Sequence, residues 1–273
     1  MDIVLRDLKT VADCQRVVEL ERSVWGYTDD LDIVPVPILI VTAKRGGILI
    51  GAFTPDGDMI GFVYSLPALK DGKPTQWSHM LGVLDDYRRG GLGRRLKLAQ
   101  RDRTIAMGLD LIEWTFDPMQ AANAHLNLAS LGAVVRDYAE NIYGDSSSPL
   151  HRGTPTDRFI AQWWVRDERV VSRLRGARAA VLPSGAVQVN RVEPRESGPA
   201  CVEVNLSVEA PELLVTIPTG FSDIQSRDRA LAREWRFATR EIFTTYFARG
   251  YRAVDFMLDR EHQCGHYVLR AEG

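Results

Sequence analysis

Met80-Leu81-Gly82-Val83-Leu84 leads through Asp85-Asp86-Tyr87 into Arg88-Arg89-Gly90-Gly91-Leu92-Gly93, and a helical pattern follows from Arg94 to Met107. An apolar strand, a glycine-rich turn and a helix N-terminus, in that order, make a place for a phosphate-bearing ligand. Glycine lets backbone N–H groups approach an anion, and the positive end of the helix dipole favours negative charge there. Arg88, Arg89, Arg94, Arg95 and Lys97 read as a basic flank to the same turn. The turn lacks the Gly-Lys-Ser/Thr ending of a nucleotide-triphosphate loop.

Arg88-x-x-Gly91-x-Gly93 resembles the Arg/Gln-x-x-Gly-x-Gly/Ala acyl-CoA loop of the GNAT acyltransferases, and Val83 stands five residues ahead, where that family's central strand ends. The resemblance is specific over 78–106, extends over 1–165 and weakens beyond. It implies an α/β (α+β) architecture, a GNAT fold with a central mixed, splayed sheet, followed by a smaller α+β domain. It implies acetyl-CoA or succinyl-CoA as co-substrate, no metal, and the amine of a small molecule as acceptor. Carried onto this chain, Leu81, Gly82 and Val83 bond the pantetheine arm, and the amide of Val83 or Leu84 polarises the thioester. Arg88, Arg89, Gly90, Gly91, Leu92, Gly93 and Arg94 form the pyrophosphate loop. The long form, with Asn141-x-Tyr143-Gly144, Pro155-Thr156-Asp157-Arg158-Phe159 and a Trp-Arg helix near Trp235, is similar to a GNAT group associated with N-acylamino-acid racemases. That likeness implies an amino acid as the acceptor.

The chain has 273 residues, enough for a substantial core and for two units. A formal net charge of −2 argues against a general nucleic-acid or anionic-membrane binder. Cys14, Cys201 and Cys264 are odd in number and have no Cys-x-x-Cys spacing, so no disulfide framework is expected and a reducing cytoplasm fits. Met1 to Arg6 does not read as a signal peptide, and no apolar run reads as long enough to span a bilayer. A homodimer is left open.

Strands are expected at Asp2 to Arg6, Ile48 to Phe53, Met59 to Leu66, Trp77 to Leu84, Leu109 to Phe116, Ala133 to Tyr138 and Phe159 to Val165. Helices are expected after the Thr10/Asp13 cap as far as Gly26, over Val36 to Lys44, after the glycine turn, and over Asn123 to Leu131. The polar stretch Asn141 to Pro155 reads as a functional loop. These define a domain at 1–165, a connecting segment at 166–180 and a second domain at 181–273. In the second, strands are expected at Ala186 to Val192, Cys201 to Leu206, Leu213 to Ile217, Ala253 to Leu258 and His266 to Arg270. Its helix, capped by Ser226 or Asp228, carries the apolar stripe Leu231, Trp235, Ala238, Ile242 and Tyr246.

Amine acylation needs a proton acceptor, a stabilised thioester oxygen and a proton for the leaving thiolate. Strand alternation places Trp77, His79, Leu81 and Val83 on one face, which makes His79 the candidate base. The family's usual tyrosine acid falls at Leu128, so Tyr138, Tyr143 or water is left for that role. Arg158, with Tyr143, is the candidate reader of a substrate carboxylate. Arg233 and Arg236 read as solvated. His262-x-Cys264-x-His266 reads as ordinary strand residues, with no zinc site. A non-catalytic acyl-CoA-binding regulator is the alternative reading, favoured by the missing tyrosine.

Overall fold

The computed structural model describes residues 2–27, 29–88, 90–144, 154–176 and 182–272. Within these, contacts gather into two compact units: 2–114 with 164–166, and 115–144 with 154–163 and 167–272. The units part at Trp114, inside a strand. Part of the expected connecting segment, Glu168–Leu174, is a helix capped by the Asp167 side chain and anchored by buried Val170. Its charge content hid a short amphipathic turn.

The first unit holds β1 (Val4–Asp7), α1 (Val11–Trp25), α2 (Val36–Lys44), β2 (Ile48–Phe53), β3 (Met59–Lys70), β4 (Lys73–Val83), α3 (Leu92–Ala106) and β5 (Leu111–Phe116), whose last two residues belong to the second unit. The element order is the one the GNAT resemblance implies. Thr10 Oγ1 accepts the Asp13 N–H at 3.1 Å while the Asp13 carboxylate accepts the Thr10 N–H at 3.2 Å, a reciprocal cap that starts α1. Gly26, at φ +63°, ends it.

The sheet runs β1-β2-β3-β4-β5; all pairs are antiparallel except β4 with β5, so the sheet is mixed. Asp71 and Gly72 at positive φ make a two-residue turn, which lengthens the β3–β4 hairpin beyond the expected strand ends. Alternation on β2 divides the core. Leu49 packs with Cys14 and Val17 of α1 and Leu39 of α2, while Ile48, Ile50 and Ala52 pack with Leu92 and Leu96 of α3.

The second unit continues with α4 (Ala121–Ala124), which runs on as a π turn over His125–Ser130, then β6 (Val134–Ala139), β7 (Arg158–Trp164) and α5 (Glu168–Leu174). There follow β8 (Val187–Gln188), β9 (Asn190–Glu193), β10 (Ala200–Val204), β11 (Glu212–Pro218), α6 (Phe221–Arg227), α7 (Arg229–Ala248), β12 (Tyr251–Asp259) and β13 (Cys264–Ala271). Its sheet runs β7-β6-β12-β13-β11-β8, with β9 and β10 as a separate hairpin. Asp228 caps α7 by accepting the Leu231 N–H at 3.0 Å. The stripe of α7 buries Leu231, Trp235, Ile242 and Tyr246, and Phe243 meets Phe159 of β7 at 4.6 Å between ring centroids. Among the described residues no helix is long and apolar enough to cross a membrane.

Candidate functional site

β4 and β5 are joined by only two registered pairs, Gln76↔Ile112 and Trp77↔Glu113. Beyond Trp77, β4 keeps its partner β3 on one edge through Val83. Leu84 N–H donates to Ile60 O at 3.0 Å, so alternation turns the peptide groups of Leu84 and Gly82 toward β3. Those of Leu81 and Val83 face the other edge, where the ladder to β5 has ended. Of the two amides expected to polarise a thioester, Leu84's is therefore committed to the sheet.

The strand leads through a 3-10 turn, Asp85–Tyr87, to the glycines. Gly91 is the N-cap of α3 at φ +78°, a left-handed conformation that favours glycine. The N–H groups of Leu92, Gly93 and Arg94 precede the first intrahelical bond, Arg95 N–H to Gly91 O at 3.0 Å, and the N-cap Gly91 has no side chain to cap them.

Gly93 is different in kind from Gly82. A Cβ on Gly82 would lie 3.0 Å from Phe62 and 3.1 Å from Trp25, so a side chain there would press on the core and make both rings give way. A Cβ on Gly93 would only touch Leu81 at 3.8 Å, an ordinary contact. Among the described residues nothing packs against Gly93 closely enough to require glycine there.

The basic flank is less uniform than expected. Arg88 folds back, donating from Nε to Val83 O at 3.0 Å and pairing with Asp85 at 2.7 Å. Arg95 donates to Ile3 O at 2.7 Å. Arg89 lies outside the described residues. Lys97 is not part of the flank at all. It is 2% exposed, turned inward from α3, with Nζ donating to Ser78 Oγ and Gln100 Oε1 at 3.0 Å each and lying 3.6 Å from the centre of the Trp114 ring. Burial pushes its pKa well below the usual lysine value.

His79 does not share a face with Leu81 and Val83. Pairing passes from Ser65↔Ser78 to Tyr64↔Met80, so His79 is the extra residue of a β-bulge, which resets the alternation. Ser78, Leu81 and Val83 face α3, whereas Met80 and Gly82 face α1 and α2. His79 lies edge-on to Tyr64, whose ring belongs to that second face, at 6.0 Å. Its outer side is exposed, yet the protein around it disfavours the imidazolium and lowers its pKa. The ring is therefore neutral and able to accept a proton near pH 7.

The second unit holds the other expected residues, described by themselves. Arg236, expected to be solvated, is 1% exposed and grips Asp117 through two bonds of 2.6 and 2.8 Å. Its place on the buried stripe one residue from Trp235, with an aspartate elsewhere to meet it, could not be read from α7 alone. Burial opposes ionisation of Asp117, but Arg236 outweighs it and holds the carboxyl below its usual range. Asp157 is fully buried and is gripped by Arg240 at 2.7 and 2.9 Å, with Tyr138 Oη donating to it at 2.6 Å.

Burial and Asp157 drive the Tyr138 phenol far up, which makes it a poor proton donor. Arg158 sits 4.0 Å from Asp117, a looser pairing, and 5.6 Å from the Tyr143 ring. Tyr143 is exposed and shares a 2.8 Å hydrogen bond with Thr115. Of the expected loop, 145–153 lie outside the described residues. Leu128, at the usual tyrosine position, is fully buried. His262 and His266 bond Asp259 and Thr216, and no metal-binding group occurs among the described residues.

No family model matches the chain, and no curated protein matches it by sequence. Solved structures with a similar chain trace include the PaiA N-acetyltransferase of Thermoplasma acidophilum in complex with coenzyme A, at 18% identity, 59% of this chain, 98% of that chain and a TM-score of 0.44. An acetyltransferase of the GNAT family from Streptococcus pneumoniae gives 18%, 59%, 98% and 0.48. The ribosomal-protein-S18-alanine N-acetyltransferase of Escherichia coli gives 17%, 67%, 100% and 0.47. The likeness is loose, and what the chain does has to come from its own geometry.

Proposed function

We propose that this chain is an acyl-CoA-dependent N-acyltransferase that moves an acetyl or succinyl group onto the amine of a small molecule, most simply an amino acid. The observation that carries the reading is the β4–β5 ladder that stops after two pairs and opens toward the bare glycine turn of α3. An opened parallel edge offers N–H and C=O groups to an amide-bearing arm, and the turn offers N–H groups to a pyrophosphate. In this reading Leu81 and Val83 bond the arm and Gly82 allows Trp25 to pack behind it. Arg88 to Arg94 hold the phosphates.

His79 is the proposed general base, on the α1–α2 face of β4. Arg158 and Tyr143 are the proposed reader of a carboxylate. We assign the chemistry to 1–165, with 181–273 as a second module and a reducing cytoplasm as its setting.

Calorimetric titration with coenzyme A, followed by transfer from labelled acetyl-CoA and succinyl-CoA to a mixture of amino acids and simple amines, tests the reading. A saturable coenzyme A site with label appearing on an amine supports it. Binding with no transfer to any amine would favour the regulatory alternative, for which the buried Leu128 is the motive. Absence of binding would overturn both.

A further inference from the structure

α1 carries one residue out of keeping with its buried stripe. Cys14, Val17 and Val18, then Val24 and Trp25, recur at helical steps of three and four and pack into the cluster that α1 and α2 share with β3 and β4. Glu21 falls on the same stripe and is fully buried. One of its carboxyl oxygens, Oε2, accepts the Val34 N–H at 2.8 Å. The other, Oε1, has no hydrogen-bond partner among the described residues. A buried carboxyl with so little of its bonding capacity met costs the fold stability, so its presence calls for a reason.

The reason lies in what it holds. α1 ends at Gly26, and the chain turns back so that Val34, 13 positions on, reaches Glu21. On the way a 3-10 turn, Asp30–Asp32, is capped by Asp29 and tied to α1 by an exposed Arg22–Asp30 pair at 2.8 Å. Exposed pairs of that kind hold little, so the buried bond from Val34 to Glu21 is the firmer tie. Tyr27 and Val34 pack on the cluster that contains Tyr64 and Met80, and His79 lies edge-on to that same Tyr64.

We propose that Glu21 is a proton-dependent latch: its neutral carboxyl fastens 29–34 to α1, and its ionisation loosens that segment from the α1–α2 face of the sheet. Burial pushes the carboxyl up to about 7 from its ordinary 4.5, against the Val34 N–H and Arg22, which favour the charge. Between those values the fastened state keeps a proton that a loosened, solvated Glu21 gives up. Opening therefore gains about tenfold per pH unit from about 5 to 7 and levels off above, where both states are ionised. The groups around it do not produce that dependence. Burial raises the Cys14 thiol and the Tyr64 phenol, away from this range. His79 is lowered, so opening would take up a proton there and its effect runs the opposite way. Arg22 and Asp30 pair with each other, Asp32 stands in the 3-10 turn, and Lys44 is exposed at the far end of α2. The latch stands whether or not the chain is an acyltransferase; if it is, Glu21 governs cover over the side of β4 that carries the proposed base.

Hydrogen exchange of the Val34 amide, followed from about pH 5 to 8 in the full chain and in Glu21→Gln, tests the latch. Hydroxide catalysis alone makes an amide exchange about tenfold faster per pH unit, and the release of the Glu21 proton multiplies that. In the wild type the logarithm of the rate should rise with a slope of about two as far as about pH 7 and of about one beyond. Glu21→Gln keeps an oxygen for Val34 and has nothing to titrate, so its slope should be about one throughout. A slope of about one in the wild type below pH 7 would overturn the latch, and the wild type alone decides this if the variant does not fold. A steep limb retained in a folded Glu21→Gln would overturn it equally, because the proton would then belong to another group.

Discussion

Lys97 and Arg236 are both buried cations, at 2% and 1% exposure, but they keep different company. Arg236 meets a carboxylate in a two-bond fork, and neighbouring Arg240 does the same for Asp157. The bonds seen for Lys97 go to a hydroxyl and an amide oxygen, beside an indole ring. The first arrangement satisfies its charges internally and fixes a core. The second holds an amine at reduced basicity next to a strand edge that has lost its partner. The contrast fits the proposed reading, in which the chemistry lies along the opened edge of β4 and the fork pairs of the second unit hold its core.

His79 offers the largest test of that division. His79→Ala should cost about 10²- to 10⁴-fold in turnover and leave coenzyme A binding nearly intact. Burial lowers its pKa, so the rate should rise with pH along a limb whose midpoint lies below the ordinary 6.5, and the variant should lose that limb. His79→Gln should behave like alanine, since it hydrogen-bonds water but takes no proton near neutral pH. Near-normal turnover in the glutamine variant would make His79 a positioning residue.

Arg236→Ala comes next and should act on stability alone. It leaves Asp117 with only the looser Arg158 and the Met119 N–H, a loss of about 3 kcal/mol, read from the denaturant midpoint. A loss below about 1 kcal/mol would show that the pair is not what holds this core.

Lys97→Met should fall within about 1.5 kcal/mol of the wild type at mildly alkaline pH, being similar in volume and apolar. The sign with pH is the sharper reading. The folded pKa of Lys97 is depressed, so charging it costs stability once pH falls below the ordinary lysine value. That cost is absent above about pH 10 and grows as pH drops toward the lowered folded value. The Tm of Lys97→Met relative to wild type should therefore rise as pH is lowered from about 10 to 7. A relative fall would mean that Lys97 stabilises the fold as an ion pair, like Arg236.

The smallest effect is expected at Arg158, whose pairing with Asp117 is loose at 4.0 Å. Arg158→Lys should raise the KM for a carboxylate-bearing substrate by about tenfold with kcat little changed. If melting shifts and KM does not, Arg158 belongs to the structural network.

Much of this arrangement was legible in the sequence because it is local. The Thr10/Asp13 cap, Gly26, the span of α2 and the glycine turn all follow from short-range rules, and each stands where expected. What escaped needed partners distant in the chain. Alternation along β4 gave no sign of the bulge at His79, which arises from register with β3. Lys97 reads as one more base on a charged helix until Ser78 and Trp114 are brought under it. Arg236 looked solvated because Asp117 lies 119 positions away.

The central claim is that the Gly91 turn and the opened edge of β4 hold coenzyme A, and the most direct measurement is its calorimetric titration into wild type and Gly93→Glu. Gly93 has room for a side chain and lies in the first turn of α3, where a carboxylate suits the helix dipole, so the variant should fold with an unchanged melting profile. The wild type should show a saturable site. Gly93→Glu should show none at concentrations that saturate the wild type, because the carboxylate would occupy and repel the place of the pyrophosphate. Equal affinity in a folded Gly93→Glu would contradict the site.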